Sequence, residues 1–326
     1  AVLADCDPAG EVLRAAVLRV GREPYELGAS DAAAFAWACA VSGPAGAGEA
    51  LRSVLEAAPL PDPDSEEARL TAWALERLGL DASASFGEPP EAVRAELPSS
   101  LQARLLVLGQ QGGKGLLSSH PPVLCVEALA SPEEASSLLA LAEMRFEGHA
   151  QADDEHPSRA LIETLAGLHV PLVARVRQRA AELLGLPESH CEPPYVLRHL
   201  PGQAGEEESS DYISGAGADR GLLYLGGQRV AMVLLHLATV PRPCGGEILL
   251  PRLGIADAAV AGKALVWPVV RPDGLEEERT AHGVAAIASG AAGCCLVLAF
   301  HAYPVAQAAA ARGPSPAAAA PHACRR

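Results

Sequence analysis

Aromatic residues are scarce, at 4% of 326 residues. A core with few large rings has to be filled by closely packed small and branched aliphatics, here mainly alanine, leucine and valine. Hydrophobic residues still reach 49%, enough for a sizeable core. Positive charge is also short: 25 Lys and Arg stand against 40 Asp and Glu, for a net charge of −15. That balance leaves no strong case for nucleic acid, which is held by a broad basic footprint. None of the eight cysteines forms a C-x-x-C pair, so no zinc or redox spacing is present. Scattered along a long chain, they read as small buried apolar residues rather than a disulfide framework. There is no unbroken apolar run either. The most apolar stretch, 291–311, is interrupted by His301 and Pro304, which argues against a membrane span. No charged segment followed by an apolar run opens the chain, so no secretory leader is expected.

The length allows about two domains. Residues 1–97 look helical and repetitive. "GEVLRAAVL" from Gly10, "GEALRSVLEAA" from Gly48 and a weaker "EAVRAEL" from Glu91 share a core. Between them lie "AFAWACA" and "LTAWALERLGL", whose Trp37 and Trp73 are about 36 residues apart. Helix-start signals, "SDAA" from Ser30 and "SEEA" from Ser65, precede both. A period near that length predicts stacked helix pairs, a surface on which a protein partner could dock. Residues 98–121 centre on "GQQGGKGLLSSHPP", which fails the phosphate-loop pattern because Gly115 follows Lys114. Its composition predicts a linker.

From Pro122 the character changes. "PVLCVEAL" predicts a strand, and "SPEEASSLLALAEM" a helix capped by Ser131 with Pro132 in its first turn. "SRALIETLAGLHVPLVARVRQRAAELLGL" predicts one or two more helices, ending at Gly185 and Pro187. Short β-type runs follow: "YVLRHL", "RVAMVLLHLATV", "GGEILLP", "KALVWPVV", "HGVAAIA" and "GCCLVLAFH". Many short strands with Gly and Pro between them predict a sandwich or jelly roll. The tail, residues 305–326, is low-complexity and predicted to be disordered.

Residues 122–304 resemble the prolyl 4-hydroxylase branch of the iron(II)/2-oxoglutarate dioxygenases. Five segments carry the resemblance in family order: "PVLCVEALASPEEASSLLALAE", "LLGLPESHCEPPYVLRHLPGQ", "RVAMVLLHLATVPRPCGGEILLPRLG", "GKALVWPV" and "RPDGLEEERTAHGVAAIASG". Family turn positions persist at Pro201, Gly245, Gly246 and Gly262. The resemblance implies an α+β chain: a double-stranded β-helix (jelly roll) with supporting helices, preceded by the all-α repeat-like region. It implies iron(II) and 2-oxoglutarate as cofactors, with L-ascorbate as an accessory, and a protein or peptide side chain as substrate.

In that family His-x-Asp and a distant His hold one face of iron, leaving the other open. Asp211 and His282 match the carboxylate and the distal histidine. Ser209 stands where the first histidine belongs; counted without a one-residue insertion, Glu208 stands there instead. The family's lysine for the far carboxylate of 2-oxoglutarate falls near Ala292, and "SGAAGCCLVLAF" has no basic residue. His199 and His236 replace family tyrosines, and the first of these commonly contacts 2-oxoglutarate. The resemblance therefore implies a metal set of Ser209, Asp211 and His282, and cosubstrate contacts from His199 and His236. The expected function is a prolyl 4-hydroxylase-like oxidoreductase. The alternative is a catalytically silent jelly roll that serves as a binding or scaffold module beside the helices.

Overall fold

The structure, a computed structural model, describes residues 28–42, 46–57, 61, 65–80, 82, 86, 99–112, 114–148, 159–161, 171–199, 209–214, 222–288 and 292–305. The expected units at Gly10 and Glu91, the acidic run Glu206 to Glu208 and the tail beyond Val305 lie outside them.

Three helices open the described chain: α1 (Ala29–Ser42), α2 (Ala47–Ala57) and α3 (Glu66–Arg77). Ser65 caps α3, its hydroxyl accepting from the Ala68 N–H at 3.1 Å. α1 begins at Ala29, so Ser30 lies inside its first turn rather than before it. The two Ala-Trp segments sit on α1 and α3, which pack along each other. Ala33, Ala36, Ala72 and Ala74 let the two helices approach closely around Leu51 and Trp73.

Residues 98–121 are not an irregular linker. They hold α4 (Ser99–Leu108) and most of a hairpin, β1 (Lys114–Ser119) with β2 (Pro122–Val126). Leu101 and Leu105, one helical turn apart, are buried in the core shared with the sheet. The Gly- and Ser-rich part is a polar edge strand, where few side chains need burial.

The helix α5 (Pro132–Gly148) is capped by Ser131 as expected, and the structure adds the reciprocal bond of a capping box. The Glu134 N–H donates to Ser131 Oγ at 3.2 Å, and Ser131 N–H donates to Glu134 Oε2 at 3.0 Å. "SRAL" was expected to be helical; it forms the strand β3 (Arg159–Leu161) beside β4 (Tyr195–His199), and the helix α6 starts only at Pro171, running to Leu184. Three residues are too few for periodicity to show. A short helix α7 (Leu222–Gly226) leads into β5 (Arg229–His236). Tyr224 of α7 and Val305 complete the buried cluster of the first three helices, which fastens them to the β part.

The remaining strands are β6 (Ile248–Leu250), β7 (Ile255–Asp257), β8 (Ala264–Pro268), β9 (Gly283–Val284) and β10 (Gly293–His301). They build two antiparallel sheets: a seven-stranded one in the order β1-β2-β8-β5-β10-β4-β3, and a three-stranded one in the order β7-β6-β9. Every residue of β5 and β10 is buried, because both faces of the large sheet are covered. Its outer face carries Val233, Leu235, Leu296, Leu298 and Phe300 against α4, α5 and α6. Its inner face carries Met232, Leu234, Leu265, Val297 and Ala299 against Ile248, Leu250 and Val284 of the small sheet. This is the jelly-roll arrangement expected. The Gly-Gly-Glu hairpin has a local reason: Gly245 has φ 83°, and a Cβ there would run into the Ala286 carbonyl oxygen. Among the described residues, no helix is long and apolar enough to cross a membrane.

Candidate functional site

Backbone pairing brings Ser209 and His282 together. They form an isolated antiparallel bridge, with Ser209 N–H to His282 O at 2.8 Å and His282 N–H to Ser209 O at 2.9 Å. Residues paired in this way direct their side chains to one side. Asp211, two residues on, reaches the same place: its Oδ2 stands 3.6 Å from His282 Nδ1. That is too long for a hydrogen bond and about the spacing that two ligands of one small cation keep. His282 Nδ1 is buried and has no hydrogen-bond partner among the described residues. Trp267 closes the pair on one side. Its ring lies 4.9 Å from the imidazole, and its indole N–H donates to Asp211 Oδ2 at 3.2 Å. Ser209 is exposed and offers only a neutral hydroxyl. Glu208 lies outside the described residues. Among the described residues, no group of three or more His, Cys, Asp or Glu side chains converges.

The segment carrying Asp211 is held by Arg229, the first residue of β5, and by Gln228 just before it. Gln228 clasps Ile213: its Oε1 accepts from the Ile213 N–H and its Nε2 donates to the Ile213 carbonyl, both at 2.9 Å. Arg229 Nη1 donates to the Asp211 carbonyl at 3.4 Å. The same guanidinium donates through Nε to Glu192 Oε1 at 2.6 Å and through Nη2 to Oε2 at 3.2 Å. His301 joins the network, with Nε2 at 2.6 Å from Glu192 Oε1 and Nδ1 at 2.6 Å from the Gly227 carbonyl. Burial by itself would push the Glu192 carboxyl up. The Arg229 charge and the His301 contacts outweigh it and hold the group well below the usual carboxylate range. His301, the last residue of β10, is thus a structural partner of Glu192.

His199 and His236 lie together at the other end of the space between the sheets. His236 sits opposite Cys295, and His199 opposite Gly293. The His236 N–H donates to the carbonyl of Lys263, the residue before β8, at 2.9 Å. Lys263 Nζ donates to Asp257 Oδ1 at 2.7 Å. Burial, with the charges of Lys263 and His199, pushes the His236 imidazole down to about 4. Burial also raises the Asp257 carboxyl, against the pull of Lys263.

Iron(II) and 2-oxoglutarate, both implied by the resemblance, fare differently against this arrangement. Asp211 and His282 suit a cation, with His282 Nδ1 unpaired beside a carboxylate. The far carboxylate of 2-oxoglutarate finds no basic residue at the family's lysine position. Ala292 is exposed, and alternation along β10 makes Gly293 its first interior position. A Cβ on Gly293 would meet Ile287 Cδ1 at 2.9 Å and His199 Cβ at 3.6 Å, so a side chain there requires the end of Ile287 to shift. The nearby lysine, Lys263, is already bound by Asp257.

Sequence reasoning missed Trp267, Gln228, Arg229, Glu192, Asp257 and Lys263. The partner of each of these sits on another element, except for the Asp257–Lys263 pair across a Gly262 turn. Only that turn, already noted as a family glycine, could have pointed to the last two.

No family model matches the chain. Two curated relatives from Arabidopsis thaliana do. One, described as probable prolyl 4-hydroxylase 7, is 26% identical over 199 residues, which cover 53% of this chain and 61% of the relative. The other, probable prolyl 4-hydroxylase 6, is 29% identical over 143 residues, covering 41% and 47%. The chain thus spans roughly half to three fifths of the length of these relatives. Among solved structures, a 2-oxoglutarate complex of the viral collagen prolyl hydroxylase of Paramecium bursaria chlorella virus 1 is similar with a TM-score of 0.41. It is 16% identical and covers 54% of this chain and 93% of that one. A Pseudomonas putida prolyl 4-hydroxylase has a TM-score of 0.35 at 14% identity, covering 62% and 98%. The β part of this chain is prolyl 4-hydroxylase-like, as its motifs led one to expect.

Proposed function

We propose that the chain works as a prolyl 4-hydroxylase-like oxidoreductase module in which Asp211 and His282 hold a divalent cation, iron(II) by resemblance. The face around that cation receives a protein or peptide side chain. The observation that carries this reading is the convergence of Asp211 and His282 to 3.6 Å with His282 Nδ1 unpaired among the described residues. A buried imidazole nitrogen without a partner is costly unless something binds it. Iron bound there would supply the oxidising chemistry. Asp211, His282 and the Ser209 hydroxyl would hold and orient it. With a hydroxyl in place of the third strong ligand, affinity falls by more than the ~10–100-fold that losing a mere supporting contact costs.

A second reading, a silent jelly roll that holds a partner, is favoured by the Trp267 N–H, which already occupies Asp211 Oδ2 at 3.2 Å. Anaerobic calorimetry with iron(II) separates the two. Weak binding that disappears in both Asp211→Ala and His282→Ala supports the metal site. Absence of binding, or binding that survives both changes, supports the silent module.

A further inference from the structure

Of the two residues that make the cation pair, His282 comes directly before β9, whereas Asp211 lies in no helix or strand. The place of Asp211 beside His282 therefore depends on what pins the chain on either side of it. On one side is the Ser209–His282 bridge. On the other, two residues past Asp211, Ile213 is gripped by the side chain of Gln228.

Gln228 is 1% exposed and uses both ends of its amide. Oε1 accepts from the Ile213 and Arg229 N–H groups, and Nε2 donates to the Ile213 carbonyl, all three at 2.9 Å. Meeting both backbone groups of one residue is what a neighbouring strand does, and here a side chain does it. The bonds are buried, so losing the amide would strand the polar groups of Ile213. Ile213 is itself 1% exposed, which fixes the residue that meets the clasp. Gln228 in turn is anchored. Its carbonyl accepts from the N–H of Ala302, the residue after β10, at 2.9 Å, and Arg229 next to it opens β5. The Arg229 bond to the Asp211 carbonyl, at 3.4 Å, is at the weak end of the hydrogen-bond range, so the shorter Gln228 bonds are the firmer tie.

We propose that Gln228 is the positioning residue of this site: by clasping Ile213 it holds Asp211 where Oδ2 stands beside both His282 Nδ1 and the Trp267 N–H. This deepens the metal site proposed above and rests on it. Without the clasp, the chain beyond Ser209 turns its backbone to water, and Asp211 leaves the imidazole and the indole together.

The test uses the full chain and two readouts. The first needs no metal. The indole N–H resonance of Trp267, identified by its loss in Trp267→Phe, reports whether Asp211 is in place, and Asp211→Ala gives its position once the bond is gone. The second is manganese(II) affinity, read from the free-ion paramagnetic resonance signal. Gln228→Met keeps the length of the side chain and removes its three hydrogen bonds. It is expected to move the indole resonance to the Asp211→Ala position and to weaken manganese binding by at least about tenfold. Leu101→Ala, which opens a hole in the core on the outer face of the large sheet, should lower Tm and leave both readouts at their wild-type values. If Gln228→Met does not fold, Gln228→Asn replaces it: its amide sits one methylene shorter, so the clasp either opens or draws the chain inward, and both move Asp211.

An indole resonance that stays at its wild-type position in the Gln228 variant overturns the proposal. So does a manganese affinity unchanged from wild type, or a Leu101→Ala that loses as much. If the wild-type chain binds no manganese, the metal site falls, and the indole resonance alone decides whether Gln228 places Asp211.

Discussion

Removing the Glu192 carboxylate should damage the fold and the site together. Glu192 is 4% exposed and Arg229 5%, and the carboxylate is bonded to Arg229 at 2.6 and 3.2 Å and to His301 at 2.6 Å. Glu192→Ala leaves the guanidinium buried without a counter-charge, a change that costs about 3–5 kcal/mol. For a cooperative unit of roughly 150–250 residues each kcal/mol moves Tm by about 2–4 °C, so the expected fall is about 6–20 °C. Arg229 also bonds the Asp211 carbonyl, so metal affinity should weaken in the same variant. Scanning calorimetry of the wild type, Glu192→Ala and the apolar double variant Glu192→Leu/Arg229→Met is the assay. The double variant removes both charges and should lose much less than the single one. A fall below about 2 °C for Glu192→Ala, or a double variant as damaged as the single, would refute the reasoning.

Four further outcomes are expected. His236 is neutral in the fold, with its imidazole held down to about 4 against about 6.5 when unfolded. The unfolded chain thus takes up this proton first: stability is full above about 6.5 and falls as pH drops toward 4, by up to ~3 kcal/mol, and His236→Phe should flatten urea midpoints across that window. Trp267→Phe removes the N–H on Asp211 Oδ2, which should lower stability by about 1–3 kcal/mol in denaturant titration while raising iron(II) affinity. Gly245→Ala forces a side chain toward the Ala286 carbonyl at positive φ and should cost roughly 1–3 kcal/mol or more, read as a lower Tm. Cys39 and Cys294 are buried thiols pushed up to about 12, so in the native protein mass spectrometry should find them unalkylated at pH 8 while the partly exposed Cys244 reacts.

The central strands were legible because their chemistry is local. β5 and β10 are continuous apolar runs bounded by glycine and polar residues, which suits strands covered on both faces. The α5 start was legible because the Ser131 cap and Pro132 of the first turn are adjacent in the sequence. The stretch before the β part was not, because its Gly and Ser content outweighed a Leu101–Leu105 pair that is the buried stripe of α4. "SRAL" was read with the helix that follows, since a three-residue edge strand is defined by its neighbour and not by its own pattern. The positions of Asp211 and His282 came from motif order, but their separation could not, because it depends on the Ser209–His282 bridge across the sequence. The Glu192–Arg229–His301 network was out of reach for the same reason. Nothing near Glu192 indicates a partner 37 residues on, or another 109 residues on.

The claim that Asp211 and His282 form one face of a metal site is tested most directly by giving that face its third ligand. Ser209 is paired backbone to backbone with His282 and is exposed, so Ser209→His adds an imidazole on the same side without disturbing the core. Anaerobic iron(II) calorimetry of the wild type and this variant is the measurement. If the face is as described, affinity rises by more than about tenfold in Ser209→His, and the gain vanishes when Asp211→Ala is added. An unchanged affinity, or a gain that survives Asp211→Ala, would contradict it.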